Sequence, residues 1–327
     1  MRIIGFNSGH DCAYCVLEDG IPIIHEEYER ICRIKEIEAD SLNFYFERSH
    51  KEEDNIFAHV YTRPPIEQRY PDSWFKMSEQ IRKNNGAFYE PGHHAAHAAN
   101  AFFTSDFEEA LIFTFDAGGW DLNRQGECPS LPVGTASPVT TTVWRGKDNK
   151  IFDKKIYRFD DLNIGGVWHG LLEPVFGLSN GPPKGNQAGT LMAMASIGDG
   201  SKYYDLIYNN FHPNALDYAY LKQEHDSSEQ AKYDIARALQ EVTEQKIKNL
   251  ISEYIKPEDK NLCFAGGVAL NSVALGKVFE WFPQVENIYV PPAPYDGGLA
   301  IGAAQYAYHQ ILDYPRVKYS KNASAYL

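Results

Sequence analysis

The chain opens with short apolar runs separated by turn signals. Arg2–Asn7 and Ala13–Leu17 read as strands, and Glu18-Asp19-Gly20 predicts a hairpin into Ile21–Tyr28. The period then lengthens to that of helices, over about 39–48 (capped by Asp40 or Ser41) and over 74–84, with a strand at Ile56–Thr62 between them. Ala-rich residues 93–103 predict a further helix, and Ala110-Leu-Ile-Phe-Thr-Phe115 a buried strand. Residues 117–137 hold several Gly and Pro with little periodicity and read as a long loop, a length usually tied to function or mobility. Val139–Trp144 resumes the strand pattern, and residues 145–150 read as a hairpin into Ile151–Tyr157.

A second β-rich beginning therefore follows the first α/β unit. This order predicts an α/β fold of two related lobes, residues 1–135 and 136–327, with the last helix packing back on the first lobe. Helices are expected at 165–176, 188–197, 201–210 and 227–255, the last as an amphipathic surface element, with a turn-rich loop at 178–187. Asn261–Ala265 reads as a short buried strand, Gly266-Gly267 as a break and Val268–Phe279 as a helix. Asn287–Val290 reads as a strand, followed by Pro-rich 291–294 and a helix from Asp296 to about 312.

Composition narrows the function. With 43% hydrophobic and 13% aromatic residues, the 327-residue chain can bury a sizeable core, which argues against disorder. A net charge of −13 argues against general binding of nucleic-acid backbones and leaves a small acceptor, or a nucleic acid held only locally. The five cysteines are scattered at 12, 15, 32, 128 and 263, the N-terminus lacks a signal-peptide pattern, and no apolar run reaches transmembrane length. A reduced, cytoplasmic protein with no membrane partner is expected. Cys12 and Cys15 have CxxC spacing but fall on a predicted strand, where residues three apart face opposite sides, against a shared zinc or redox role.

Candidate chemistry centres on the Ala-rich helix. His93 and His97 are one turn apart, close enough to share a metal, and Asp116 falls where the next strand should end. Strand ends of α/β sheets are where ligands bind, so two imidazoles and a carboxylate converging there point to a metal, against the alternative of a hydrogen-bonded polar face. His94 points about 100° around the helix from His93 and is not counted as a ligand. Asp296, before Gly297-Gly298, is either a helix N-cap or a fourth ligand. Imidazole plus carboxylate suits iron(II), manganese or zinc better than magnesium. Gly266-Gly267 between strand and helix exposes backbone N–H groups suited to a nucleotide, or forms a plain tight turn; it is neither a Walker A loop nor a GxGxxG fingerprint. His10, in Gly9-His10-Asp11, can act as a general base or a hydrogen-bond donor. Arg33 and Lys35 add positive charge near it, with a solvated basic patch as the alternative.

The ordered set Gly-His-Asp (9–11), Arg-x-Lys (33–35), His-His-x-x-His-Ala-Ala-x-Ala-Phe (93–102), Asp-x-Gly-Gly (116–119), Ala-Gly-Gly-Val-Ala-Leu-Asn (265–271) and Asp-Gly-Gly-x-Ala-Ile-Gly-Ala-Ala (296–304) resembles the O-carbamoyltransferases over nearly the whole chain. This family includes the nodulation-factor and antibiotic-tailoring enzymes. The resemblance implies a two-lobed actin-like ATPase fold like that of the threonylcarbamoyl-transfer proteins of tRNA modification. It implies that His93, His97, Asp116 and Asp296 hold an iron(II)-type metal against the phosphate of a carbamoyl-adenylate made from ATP and carbamoyl phosphate. Gly266, Gly267, Val268 and Asn271 would lie along the nucleotide, His10 would deprotonate the acceptor hydroxyl and Lys35 would stabilise negative charge. The acceptor would be a small molecule or a modified nucleobase. Threonylcarbamoyl transfer to tRNA adenosine and a non-catalytic nucleotide- and metal-binding module are the alternatives.

The chain departs from the family pattern at Gly189-Thr190, where relatives commonly carry Gly-Lys; Lys184 just upstream is a candidate substitute. Complete relatives continue into an adenylate-forming domain, whereas this chain stops at Ala323-Ser-Ala-Tyr-Leu327. That domain is expected in cis, in a longer protein, or in trans.

Overall fold

The computed structural model describes residues 1–61, 71–122, 136–179, 181 and 184–318. The strands are β1 (Arg2–Ser8), β2 (Ala13–Glu18), β3 (Ile21–Glu27), β4 (Ile56–Tyr61), β5 (Ala87–Tyr89), β6 (Glu109–Leu122), β7 (Ala136–Lys147), β8 (Lys150–Arg158), β9 (Asn261–Ala265) and β10 (Asn287–Tyr289). The helices are α1 (Tyr28–Cys32), α2 (Ser41–Arg48), α3 (Pro71–Lys83), α4 (His93–Phe103), α5 (Ile164–Leu172), α6 (Ala188–Ala195), α7 (Tyr204–Asn209), α8 (Tyr218–Ser227), α9 (Glu229–Tyr254), α10 (Ser272–Gly276), α11 (Val278–Trp281) and α12 (Leu299–Gln305).

The strands form two five-stranded sheets with one plan. The first is ordered β3-β2-β1-β4-β5 and the second β8-β7-β6-β9-β10. In each, the first three strands make an antiparallel meander, and the first, fourth and fifth run parallel. The duplication inferred from element order is therefore visible as repeated topology. The expected lobe limit at 135/136 falls inside the second sheet, because β6 and β7 pair as one hairpin across it; the change of sheet comes between β5 and β6.

α4 and α12 follow the fifth strand of their respective sheets and pack against each other between the sheets. Small side chains make the approach possible: Ala96 of α4 joins Leu299, Ala303 and Ala304 of α12 in one apolar cluster. On its other side α4 lays Ala95, Ala98, Ala99 and Phe102 against Ala110 and Ile112 of β6 and Cys263 and Ala265 of β9. All of α4 is buried. A helix enclosed on every face needs polar partners for each buried histidine, and those partners turn out to define the site.

Several elements differ from the sequence expectation. Residues 117–122 and 136–137 are strand, extending β6 and β7; of the expected loop, 123–135 lie outside the described residues, as do Cys128, Asn180, Pro182, Pro183 and 319–327. The turn expected over 145–150 is confined to Asp148-Asn149, between β7 and β8. α9 is a core element rather than a surface one, with Ile235, Leu239, Val242, Ile247 and Leu250 in the cluster that holds Phe113, Phe115 and Phe264. α8 was not anticipated; it buries only Leu221 and His225, too little apolar periodicity to read. The expected helix over 268–279 is broken into a 3₁₀ turn (Gly267–Leu270), α10 and α11. Asn271 leaves helical geometry there so that its side chain can accept from the Ala274 N–H and cap α10.

Candidate metal and nucleotide site

The residues singled out by their motifs follow the ends of parallel strands: His10 after β1, His93 after β5, Gly266 after β9 and Asp296 after β10. Asp116 lies within β6, at a break in the β6–β7 register between Phe115 and Gly119. The bulge takes Asp116 out of the ladder, a common device beside functional sites.

The four expected ligands come together. Each offers one donor atom, and these atoms all lie within 4.8 Å of one another. His93 Nε2 is 3.1 Å from Asp116 Oδ2 and 3.4 Å from Asp296 Oδ1. His97 Nε2 is 3.4 Å from Asp116 Oδ2, 3.3 Å from Asp296 Oδ1 and 3.1 Å from His93 Nε2. Donors about 2.1 Å from a common centre lie about 3.0 Å apart at right angles and about 3.4 Å apart in a tetrahedron. The five edges that include a histidine nitrogen fall in that range, and the sixth, between the two carboxylates, lies within the 4.8 Å bound.

Proton accounting favours a cation at the centre. The Tyr61 carbonyl, at the end of β4, faces His93 Nδ1 at 3.3 Å and can only accept, so Nδ1 carries a proton and in the neutral imidazole Nε2 would present its lone pair inward. That lone pair faces two carboxylates and a second imidazole nitrogen. His97 Nδ1 is buried with no hydrogen-bond partner among the described residues, so nothing there fixes a competing tautomer. With protons as the sole positive charge, burial works against ionisation. The mutual pairing nonetheless drives His93 and His97 up and holds Asp116 and Asp296 below the usual carboxylate range. The residues present therefore fit a divalent cation, and the N₂O₂ donor set is of the type that prefers first-row transition metals.

Gly266 starts the turn after β9 at φ +87°, and a Cβ there would run into the Phe115 carbonyl, 2.6 Å from its carbon. Its N–H donates to the Pro294 carbonyl at 2.6 Å, tying the glycine turn to the segment that leads into Asp296. A Cβ on Gly267 would lie 3.7 Å from Asp116 Oδ1, so the glycine turn abuts the ligand cluster. Val268 continues this turn. The Asn271 side chain points elsewhere: it exchanges two hydrogen bonds with Gln240 of α9, at 2.9 and 3.1 Å, besides capping α10. Gln240 in turn reaches Glu244, which pairs with Lys277. Asn271 thus braces the turn from behind, a role its motif did not reveal.

His10 reaches the cluster from the first sheet. Its Nδ1 is 2.8 Å from Asp11 Oδ2 and its Nε2 3.7 Å from Asp296 Oδ2. Burial opposes its charge, but the Asp11 bond and the Asp296, Asp11 and Asp116 carboxylates outweigh that and raise it to about 9. Lys35 is set apart from the cluster: its exposed ammonium pairs with Glu29 at 3.3 Å. Arg33 takes a left-handed conformation at the end of α1. Thr190 and Lys184 are both exposed. Sequence reasoning missed the Tyr61 carbonyl, Gln240, and the pair that holds the Asp296 turn to β3, where Tyr295 donates to Glu27 at 2.8 Å and Gly297 O receives His25 Nε2–H at 2.8 Å.

Residues 45–305 match the family described as carbamoyltransferase N-terminus, and the chain belongs to that family. An uncharacterized protein of Synechocystis sp. is 30% identical over 71% of this chain and 38% of its own length. Nodulation protein NolNO of Sinorhizobium fredii is 24% identical over 90% of this chain and 46% of its own. The chain thus spans less than half of these relatives. Among solved structures, HypF of T. kodakarensis superposes with a TM-score of 0.54 at 11% identity, over 93% of this chain and 47% of that one. The fold is the two-lobed actin-like ATPase architecture. No helix of the described residues is long and apolar enough to cross a membrane.

Proposed function

We propose that this chain carries the transfer site of an O-carbamoyltransferase, in which an acceptor hydroxyl attacks the carbamoyl carbon of a carbamoyl-adenylate. The new C–O bond replaces the mixed-anhydride bond to phosphate, AMP leaves with that bond's electron pair, and the hydroxyl proton passes to a base. The observation that carries the reading is that Asp116 belongs to the four-residue donor cluster and also borders Gly267, so a cation and a nucleotide phosphate would be neighbours.

The supporting chemistry comes from this chain's residues. His93, His97, Asp116 and Asp296 would hold an iron(II)-type or similar divalent cation, which supplies positive charge against phosphate. The Gly266-Gly267-Val268 turn would run along the nucleotide with its backbone, while Asn271 keeps that turn in place through Gln240. His10, partly exposed and oriented by Asp11, is placed to take the acceptor proton in its neutral form, which a cation held by Asp116 and Asp296 would favour by offsetting the carboxylates that otherwise keep it protonated. Lys35, paired with Glu29 outside the cluster, would have to leave that pair to add positive charge near the leaving phosphate. Bringing both reactants together supplies orientation. An adenylate-forming domain, in cis or in trans, would make the intermediate from ATP and carbamoyl phosphate. The acceptor would be a small-molecule or modified-nucleobase hydroxyl selected by loop residues beside the cleft, and the setting would be cytoplasmic.

The test supplies synthetic carbamoyl-adenylate and a panel of hydroxyl acceptors to the chain and follows carbamoylated product beside AMP. Product that depends on His10 and on the cation ligands supports the reading. Binding of AMP without turnover of any acceptor, even with the adenylate-forming domain of a relative added, would instead make the chain a nucleotide- and metal-binding module.

A further inference from the structure

The middle histidine of the 93–97 motif is as buried as its neighbours, yet its ring nitrogens bond to Thr114 and the Val139 carbonyl rather than to the donor cluster. We propose that His94 is a positioning residue that fixes the spacing between α4 and β6, and with it the gap in which His93, His97 and Asp116 meet. The inference rests on the reading of those residues and Asp296 as cation ligands.

His94 lies in a buried chain of hydrogen bonds whose direction is determined by its ends. The Val139 carbonyl, 2.9 Å from His94 Nε2, can only accept, so Nε2 carries the proton and Nδ1 accepts. At the other end the Trp144 indole N–H can only donate, to Thr142 Oγ1 at 2.5 Å. Thr142 then donates to Thr114 Oγ1 at 2.6 Å, and Thr114 donates to His94 Nδ1 at 2.5 Å. Every hydroxyl in this chain both accepts and donates, so His94 is locked as one neutral tautomer in one orientation.

The attachment point matters more than the bonds themselves. Thr114 precedes Asp116 by two residues on β6, and residues two apart on a strand share a face. His94–Thr114 and His93–Asp116 are therefore adjacent rungs between the same helix and the same strand. Beyond them, Gly119 brings the β6 backbone against the His93 ring, where a Cβ would lie 2.6 Å from His93 Cγ. The His93 rung is held between a hydrogen-bonded spacer and a glycine contact. An apolar residue at 94 would pack α4 on β6 but would set no fixed distance.

Two variants test this by cobalt(II) titration of the full chain, reading affinity and the visible d–d bands. His94→Phe keeps a ring and removes both bonds; Thr114→Val keeps the histidine and removes its donor, along with the acceptor of the Thr142 hydroxyl. Both are compared with wild type and with His93→Ala, after circular dichroism has established that each is folded. We expect wild type to bind one cobalt per chain and both variants to bind at least tenfold more weakly with shifted bands, as loss of a ligand-orienting partner does. Should His94→Phe fail to fold, Thr114→Val decides. Wild-type affinity and bands in the folded variants would overturn the inference. So would complete loss of binding in His94→Phe, as in His93→Ala, with no change in Thr114→Val, because His94 would then be a ligand. Absence of cobalt binding by wild type would overturn the cation reading itself.

Discussion

Replacing Gly119 with alanine is the sharpest steric probe of the cluster. A Cβ there would meet His93 Cδ2 first and would sit 2.6 Å from Cγ and 3.0 Å from Cβ of His93, whereas ordinary contact begins at 3.4 Å, so the ring and the β6 backbone must separate by more than about 0.8 Å. The ring cannot easily recede: its Nδ1 is held by the Tyr61 carbonyl, and α4 is enclosed between α12 and the second sheet. Metal sites tolerate displacements of about 0.2 Å in ligand distance, so a shift several times larger should cost roughly 10–100-fold in cation affinity. Overpacking should also cost about 1–3 kcal/mol of metal-free stability. Isothermal titration with cobalt(II) or iron(II), paired with urea unfolding of the metal-free protein, separates the two effects. Gly118→Ala is the control, because a Cβ at 118 meets nothing within 4 Å. A Gly119→Ala protein with wild-type cation affinity would refute the argument that His93 is a ligand held in place by β6.

Other perturbations probe the surroundings of the site. Gln240→Leu leaves the Asn271 amide without its interhelical partner and should cost about 1–3 kcal/mol and weaken AMP binding, which fluorescence titration can follow; unchanged affinity would mean the Gly266 turn needs no bracing from α9. Arg316 donates to the carbonyls of Phe102, Ser105 and Phe107 at the end of α4, so Arg316→Met should lower the melting temperature by several degrees, and an unchanged melt would show that α4 needs no such cap. Burial pushes the His309 imidazole down to about 4, despite its bond to the Tyr314 carbonyl. Above pH 6.5 this has no effect; between 6.5 and 4 the unfolded chain takes up a proton the native one refuses, so stability falls as pH falls, by at most about 1.4 kcal/mol per unit. His309→Phe should remove that part of the slope in urea melts at pH 7.5 and 5.0, and an identical slope in the variant would contradict it.

How much was legible in the sequence depended on how local the cause was. The limits of α4 could be read because an alanine-rich run with histidines four apart carries its own periodicity, and the Gly9, Gly266 and Asp296 turns announce themselves in composition. The second sheet's repeat of the first could be inferred from element order, since strands that follow one another as hairpins must pair as a meander. What was not legible depends on residues far apart in the chain. Residues 117–122 resemble a loop because Gly119 allows close approach of the β6 backbone to the His93 ring rather than turning the chain. α9 looks like a surface helix because its charged stripe is real, but α6, α7 and α8 cover its other side. Asn271 reads as a ligand-facing residue until Gln240, 31 positions away, is seen to take its amide. His94 looks spare until Thr114, Thr142 and Trp144 are placed behind it.

The proposed reading requires His93, His97, Asp116 and Asp296 to form one cation site beside a nucleotide turn. Metal analysis of anaerobically purified protein tests it most directly, with His97→Ala and Asp296→Asn alongside and AMP binding measured on the same samples. One divalent transition metal per chain is expected, lost from both variants together with tight AMP binding. Wild-type protein that binds AMP tightly while holding no such metal, and variants that bind it equally well, would contradict it.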